Sequence, residues 1–352
     1  MNEKEISEVR RVYAQAERDL ISRIANRLEK DKTATIAQWE VMKLRELRTM
    51  NRGIETQIVK KLRNFNEKEL GKLIEKAYKE GSDKTVASLN KVMSASDVKS
   101  KLINSDIETI EALTKAYKDN MNSTLNRIIR QTDDVYRQAV RKGVEYTTTG
   151  AGTRLEGAQK VINEFANRGV SGFRDSAGRS WNLNTYAEMA TRTTVSNAQV
   201  EGNINRLKQN DINLGVVSAH AESCPICDPW EGQVLALNDA AQRETDYPTV
   251  ADARNAGLWH PNCSHNLTAY IPGLTEKPEP VEGKETYEDR QQQRYLERGT
   301  RKWKRRKNGA MTDKEKRIAD AKVSEWQERL REFTDETGRR RKYGREAIEQ
   351  AR

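Results

Sequence analysis

Apolar residues recur near the start of the chain in steps of three and four. Ile6, Val9, Tyr13, Ala16, Leu20, Ile24 and Leu28 fall on one side of a helix, with charged residues between them. Trp39, Met42, Leu44, Leu47, Ile54, Ile58 and Leu62 continue the pattern less regularly. The same spacing predicts helices over 67–80, 83–93, 106–117 and 121–141, the last carrying Leu125, Ile128, Ile129, Val135 and Val140. Stripes this narrow serve a core or a subunit contact, and no chemistry is assigned to them.

Proline marks where the pattern changes. None occurs before Pro225, and all seven lie between Pro225 and Pro280, so the first two thirds lack the strongest helix breaker. The small-residue string Thr147–Thr153 is a boundary or hinge. A helix is expected over 154–168, stopped by Gly169, then a turn at Asp175–Arg179. A longer helix, capped by Asn184 or Thr185, should carry Tyr186, Met189, Val200, Ile204 and Leu207. Short strands follow at 216–220, 233–237 and 266–271, with a brief helix at 249–256 capped by Thr249 and ended by Gly257. The expected divisions are an N-terminal helical region (1–149), a helical central region (150–213), a small α+β module (214–273), a proline-containing linker (274–283) and a basic helical tail (284–352). The fold class is mainly α, with elongated helical regions flanking a small α+β module that resembles a zinc-binding one.

Composition sharpens this picture. Only 35% of residues are apolar while 33% are charged, which suits long amphipathic helices better than one thick core. The net charge of +10 favours a polyanionic partner. No apolar run approaches the ~18 residues of a membrane span, and the first residues lack a secretion signal, so a cytosolic start is expected.

All three cysteines and all three histidines fall in one stretch: His220, Cys224, Cys227, His260, Cys263 and His265. A C-x-x-C pair followed by H-x-x-C-x-H supplies thiolates and imidazoles at zinc-ligand spacing. Three sulfurs and one imidazole complete a tetrahedral site. His265 is preferred because it begins the strand opposite, His260 is the contender, and His220 is a bystander or supports a ligand from behind. A closed site of this kind is structural and leaves no position for water. Two enzymes with related motifs fit poorly. In zinc deaminases H-x-E and P-C-x-x-C lie on separate helices, whereas here only Ser223 separates them. An HNH-type nuclease needs a second histidine on its helix, and the short helix has none.

The strings Cys224-Pro-Ile-Cys-Asp-Pro-Trp-Glu-Gly-Gln-Val and Gly257-Leu-Trp-His-Pro-Asn-Cys-Ser-His resemble the phage minor capsid protein 2 family, related to Mu-type head morphogenesis proteins. Gly178 to Thr194 and Tyr287 to Lys307 extend the likeness, which covers roughly 140–350. That family ends its last motif H-P-N-C-R-H or H-P-N-C-R-C, an exchange a metal ligand tolerates, and this supports His265; here Ser264 replaces the arginine. The resemblance implies a structural protein without catalysis, present in multiple copies per virion. It would associate with portal, capsid and scaffold proteins at the procapsid interior, in head assembly or in DNA packaging and delivery, and pass through the host cytoplasm during assembly. A zinc-containing DNA-binding protein, or a nuclease or toxin fused to a head protein, is the alternative.

Residues 284–352 hold 22 basic and 14 acidic residues, most of the chain's excess charge. Arg301, Lys302, Trp303, Lys304, Arg305, Arg306 and Lys307 form the densest run. It is expected to contact packaged DNA without sequence preference, or an acidic partner; the bland alternative is a solvated helix with internal salt bridges.

Overall fold

Helix α1 (Glu3–Glu29) buries all seven positions of the first stripe, from Ile6 to Leu28, as their spacing requires. The computed structural model describes residues 3–348 apart from 32, 169–172, 175–179, 280 and 282–285. Helix α2 (Ile36–Ile54) starts from a capping box, in which Gln38 N–H donates to the Thr35 hydroxyl and Thr35 N–H donates to the Gln38 side chain. Its inner face is Trp39, Lys43, Leu47, Met50 and Ile54. Met42 and Leu44, expected on that face, are exposed at 37% and 39%. Lys43 sits between them in the interior, its ammonium 2.6 Å from Asp31.

A π-helical turn, Glu55–Val59, joins α2 to α3 (Lys60–Leu89) without a break. A π turn inserts one extra residue. That extra residue keeps Ile54, Ile58, Val59 and Leu62 buried on one continuous side, and it accounts for the irregular spacing in the sequence.

Helices expected as pairs are single. Residues 67–80 and most of 83–93 belong to α3, and 106–117 and 121–141 belong to α4 (Asn104–Thr148). Helix α5 (Arg154–Arg168) has the expected bounds. Strands β1 (Phe173–Arg174) and β2 (Ser180–Trp181) pair antiparallel; the turn expected at 175–179 and the stop at Gly169 lie outside the described residues. Helix α6 (Leu183–Gln209) is capped two residues before Asn184, the earlier of the two expected caps, by Asn182, whose side chain accepts from Thr185 N–H at 3.0 Å. Gly81 does not break α3, because it lets α6 approach. A Cβ on Gly81 would lie 2.1 Å from the Gln199 carbonyl oxygen, and one on Gly202 would lie 2.2 Å from that of Tyr78.

The chain forms two compact units, each drawn from separated segments: 1–6, 67–119 and 189–290 in the first, 7–66, 120–188 and 291–352 in the second. In the first unit β3 (Leu214–Val217) lies between β4 (Val234–Ala236) and β5 (Leu267–Ala269), antiparallel to both. Val216 faces Val234 on one side and Thr268 on the other. One sheet face packs Val217, Leu235 and Leu267 with Val200, Ile204 and Leu207 of α6 and with all three cysteines. The other packs Leu214, Val216, Val234 and Ala236 on Ala241 of α7 (Asp239–Thr245), a helix that sequence periodicity missed. Helix α8 (Val250–Asn255) follows the expected capping box, Thr249 with Asp252.

The C-terminal segment is not a free tail. Helices α9 (Tyr287–Asn308), α10 (Asp313–Thr337) and α11 (Tyr343–Glu346) supply the second unit's segment from Gln291 onward. Gln159 of α5 ties down the turn between α9 and α10, donating to Gly309 O at 3.1 Å and accepting from Met311 N–H at 2.7 Å. Among the described residues, no helix is long and apolar enough to cross a membrane.

Candidate metal centre

Two tight turns of the α+β module bring the thiols together. In the first, Cys227 N–H and Asp228 N–H both donate to Cys224 O at 2.9 Å, and the Ile226 and Cys227 amides face the Cys224 sulfur. The second runs from Gly257, where α8 has ended, to Cys263, with Cys263 N–H donating to His260 O at 2.9 Å. Gly257, Trp259 and Asn262 take left-handed backbone (φ +101°, 59° and 67°). Only glycine does so freely, so Trp259 stores strain of roughly 1–2 kcal/mol. Burial of its ring and a 3.1 Å hydrogen bond from its Nε1 to His265 O hold it there.

All three cysteines are buried and unbridged. Cys227 Sγ lies 3.5 Å from Cys263 Sγ, close to the ~3.7 Å that two zinc–sulfur bonds at a tetrahedral angle give. His260 Nε2 is 2.9 Å from Cys224 Sγ, and its Nδ1 is 2.9 Å from Pro261 O. His265 Nδ1 is 3.3 Å from Cys263 Sγ. Two donor groups result, Cys224–Cys227–His260 and Cys227–Cys263–His265, each with ligand atoms within 4.8 Å of one another. The five residues expected as ligands are thus brought together, and both imidazoles reach sulfur.

The hydrogen bond from Cys227 holds the Cys263 thiol down to about 4 and pushes Cys227 up. Burial opposes ionisation of Cys224, but the hydrogen bond with His260 and the facing amides outweigh it and lower its pKa. Cys263 and Cys224 are thus favoured as thiolates, the form that ligates metal, while Cys227 keeps its proton in the hydrogen bond to Cys263.

Sequence reasoning missed Glu231. Its carboxylate lies 2.7 Å from His265 Nε2 and accepts from His220 N–H at 3.1 Å. The side chain is 5% exposed. His220, expected as a bystander, stacks its ring on His265 at 4.2 Å between centroids.

The basic run divides. Arg301 and Arg305 point into the second unit at 5% and 3% exposure, so neither is placed for an outside contact. Arg305 Nε donates to Ala166 O at 2.9 Å and faces Glu17 at 3.7 Å. Arg301 donates to Arg345 O, and burial lowers its guanidinium to about 10. Arg306 lies 4.3 Å over the Trp303 ring and 3.7 Å from Glu315, while Lys302 also lies over Trp303, at 5.8 Å. Lys307 pairs with Asp320 at 2.5 Å, and Lys304 is half-buried.

Exposed cations without an ion pair lie elsewhere. Arg45, Arg48 and Arg52 project from the side of α2 opposite Trp39, Lys43 and Leu47. The extra residue of the π turn brings Lys60 onto the same side. The signal was present in the sequence as the steps 45, 48 and 52, but the denser run at 301–307 overshadowed it.

Comparison with known proteins places this arrangement in a family. The phage minor capsid protein 2 family matches residues 2–335, nearly the whole chain. The chain belongs to the phage minor capsid protein 2 family. It is 28% identical over 186 residues to a structural protein of Lactococcus phage LL-H, covering 50% of each chain. It is 34% identical over 114 residues to a structural protein of Lactococcus phage mv4, covering 29% of this chain and 92% of that one. The chain thus spans about half the length of the LL-H relative. No solved structure matches it. Membership confirms the resemblance drawn from the two Cys/His strings and places the chain in a family of phage structural proteins.

Proposed function

We propose that the chain acts in head assembly at the portal and procapsid interior, that a structural zinc ion pins its α+β module, and that it meets packaged DNA without sequence preference. The observation that carries the zinc reading is the convergence of two tight turns that bring three buried sulfurs and two imidazoles within reach of shared ions. Soft sulfur donors select zinc over harder ions, and ligation contributes on the order of 10 kcal/mol to folding in comparable small modules. The sheet is only three short strands, and the cysteines sit inside its principal apolar cluster, so ligation and core formation are one event. No catalytic step is assigned to this centre.

Charge supports the DNA reading. Arg45, Arg48, Arg52 and Lys60 form an exposed row, and Glu55, the acidic residue between Arg52 and Lys60 in sequence, is paired with Arg63. Portal and scaffold proteins, and assembly in the host cytoplasm in multiple copies, follow from the head role. The test is co-purification with portal protein and procapsids from cells expressing wild type or the Cys224→Ser/Cys263→Ser variant. Wild type should be captured and the variant lost from particles. Failure of wild type to enter procapsids contradicts the head role.

A further inference from the structure

Five sulfur and nitrogen donors surround the thiol cluster, while a tetrahedral ion takes four. His260 already groups with Cys224 and Cys227, its Nε2 2.9 Å from Cys224 Sγ and its other nitrogen held by Pro261 O, so that Cys263 drawing in toward them would complete a three-sulfur site. With three thiolates and His260 in place, His265 is surplus. Its Nε2 points away from the sulfurs, 2.7 Å from Glu231 Oε1. His220 completes this second convergence. A ring nitrogen of His220, a carboxylate oxygen of Glu231 and a ring nitrogen of His265 lie within 4.8 Å of one another.

Burial makes the arrangement costly without an occupant. His220 Nε2 is buried with no hydrogen-bond partner, and a buried polar atom left unpaired is unfavourable. The side chains of Glu231 and His265 are 5% and 2% exposed. Arg290, a cation close to His220, is offset by Glu222 at 3.6 Å.

We propose that His220, Glu231 and His265 hold a second divalent transition-metal ion through nitrogen and oxygen, while His260 closes the three-sulfur site. The proposal rests on the metal reading of the thiol cluster and extends it. Two imidazoles and one carboxylate suit zinc or ferrous iron and leave positions open for water or a partner's carboxylate. The competing arrangement has one ion. In it His265 ligates through Nδ1, Glu231 merely orients the ring, and His220 has no part.

Full-length protein is loaded with excess zinc, desalted and assayed for metal, and in parallel titrated with cobalt(II). Two ions per chain are expected. The first cobalt equivalent should bring a thiolate-to-cobalt charge-transfer band, and the second should add ligand-field absorption without more of that band. His220→Ala should lower the count from two to one and keep the thiolate band, with helicity checked by circular dichroism. Glu231→Gln, a near-isosteric change, should do the same, so the proposal stays testable if the alanine variant misfolds. One ion per chain in wild type, unchanged in both variants, overturns the second site and leaves the thiol clasp standing. No retained metal, with the fold intact, overturns both.

Discussion

Glu297 of α9 is 2% exposed, and its Oε1 has no hydrogen-bond partner. Burial raises its pKa above the ordinary 4.5, against the opposing pull of Arg345 and Arg301. A carboxyl of this kind binds its proton more tightly when folded, so its favourable contribution is full below about pH 4.5 and fades as pH rises through the raised value. Glu297→Gln should therefore stabilise the protein at pH 8 by about 1 kcal/mol and flatten the fall of Tm between pH 5 and 8. Thermal melts across that range check it; a less stable variant at pH 8 refutes it. Gly202 gives the opposite case. Because a Cβ there would meet the Tyr78 carbonyl oxygen at 2.2 Å, Gly202→Ala should cost about 3 kcal/mol, read as a lower denaturant midpoint. At this scale the sequence was legible where the residue type is rare. Six cysteines and histidines in one stretch announce themselves. Glu231 is one of 53 acidic residues with no spacing rule to mark it, and only the fold brings it to His265.

At the scale of elements, strongly periodic segments were readable and interruptions were not. Helix α1 and the capping box of α8 follow directly from the residues present. Helix α2 was misread at Met42 and Leu44 because nothing local says that Lys43 will turn inward to Asp31. The helices expected over 67–80 and 83–93 run on as one through Gly81, whose missing Cβ serves a helix crossing with residues more than a hundred positions away. The π turn offers a sharp test. Deleting Thr56 should relax Glu55–Val59 to α-helix with both flanking faces still in register, at about 1 kcal/mol or less. Deleting Arg48, one turn and more upstream, rotates the N-terminal part of α2 by roughly 100° against its packing and should unfold that helix. Circular dichroism and melting of the two deletions decide it; equal damage refutes the π-turn account. The basic row on α2 belongs to this scale as well. Neutralising Arg45, Arg48 and Arg52 to Gln should weaken binding to duplex DNA and reduce the log–log salt slope by about 3. An unchanged slope refutes that surface, and retained binding to portal alone assigns it to an acidic protein.

For the whole molecule, the excess positive charge of the C-terminal segment does not mark a detachable tail. Its run at 301–307 is partly spent inside the second unit, where Arg301 and Arg305 meet backbone carbonyls and Glu17. Charge density in a sequence reports partners of either kind, internal or external, and only the fold separates them. Family membership, by contrast, was visible in the two Cys/His strings, because the residues that converge on the thiol cluster are also those that spell the motif. The central claim is that metal ligation, more than apolar burial, holds the α+β module together. Amide hydrogen exchange on the full chain, with and without a strong chelator, tests it directly. The account predicts that chelation abolishes protection of β3 at Gly215–Val217 and of the Cys224 and Cys263 turns, while α1 stays protected. Unchanged protection of the three strands, with the metal shown to be removed, would contradict it.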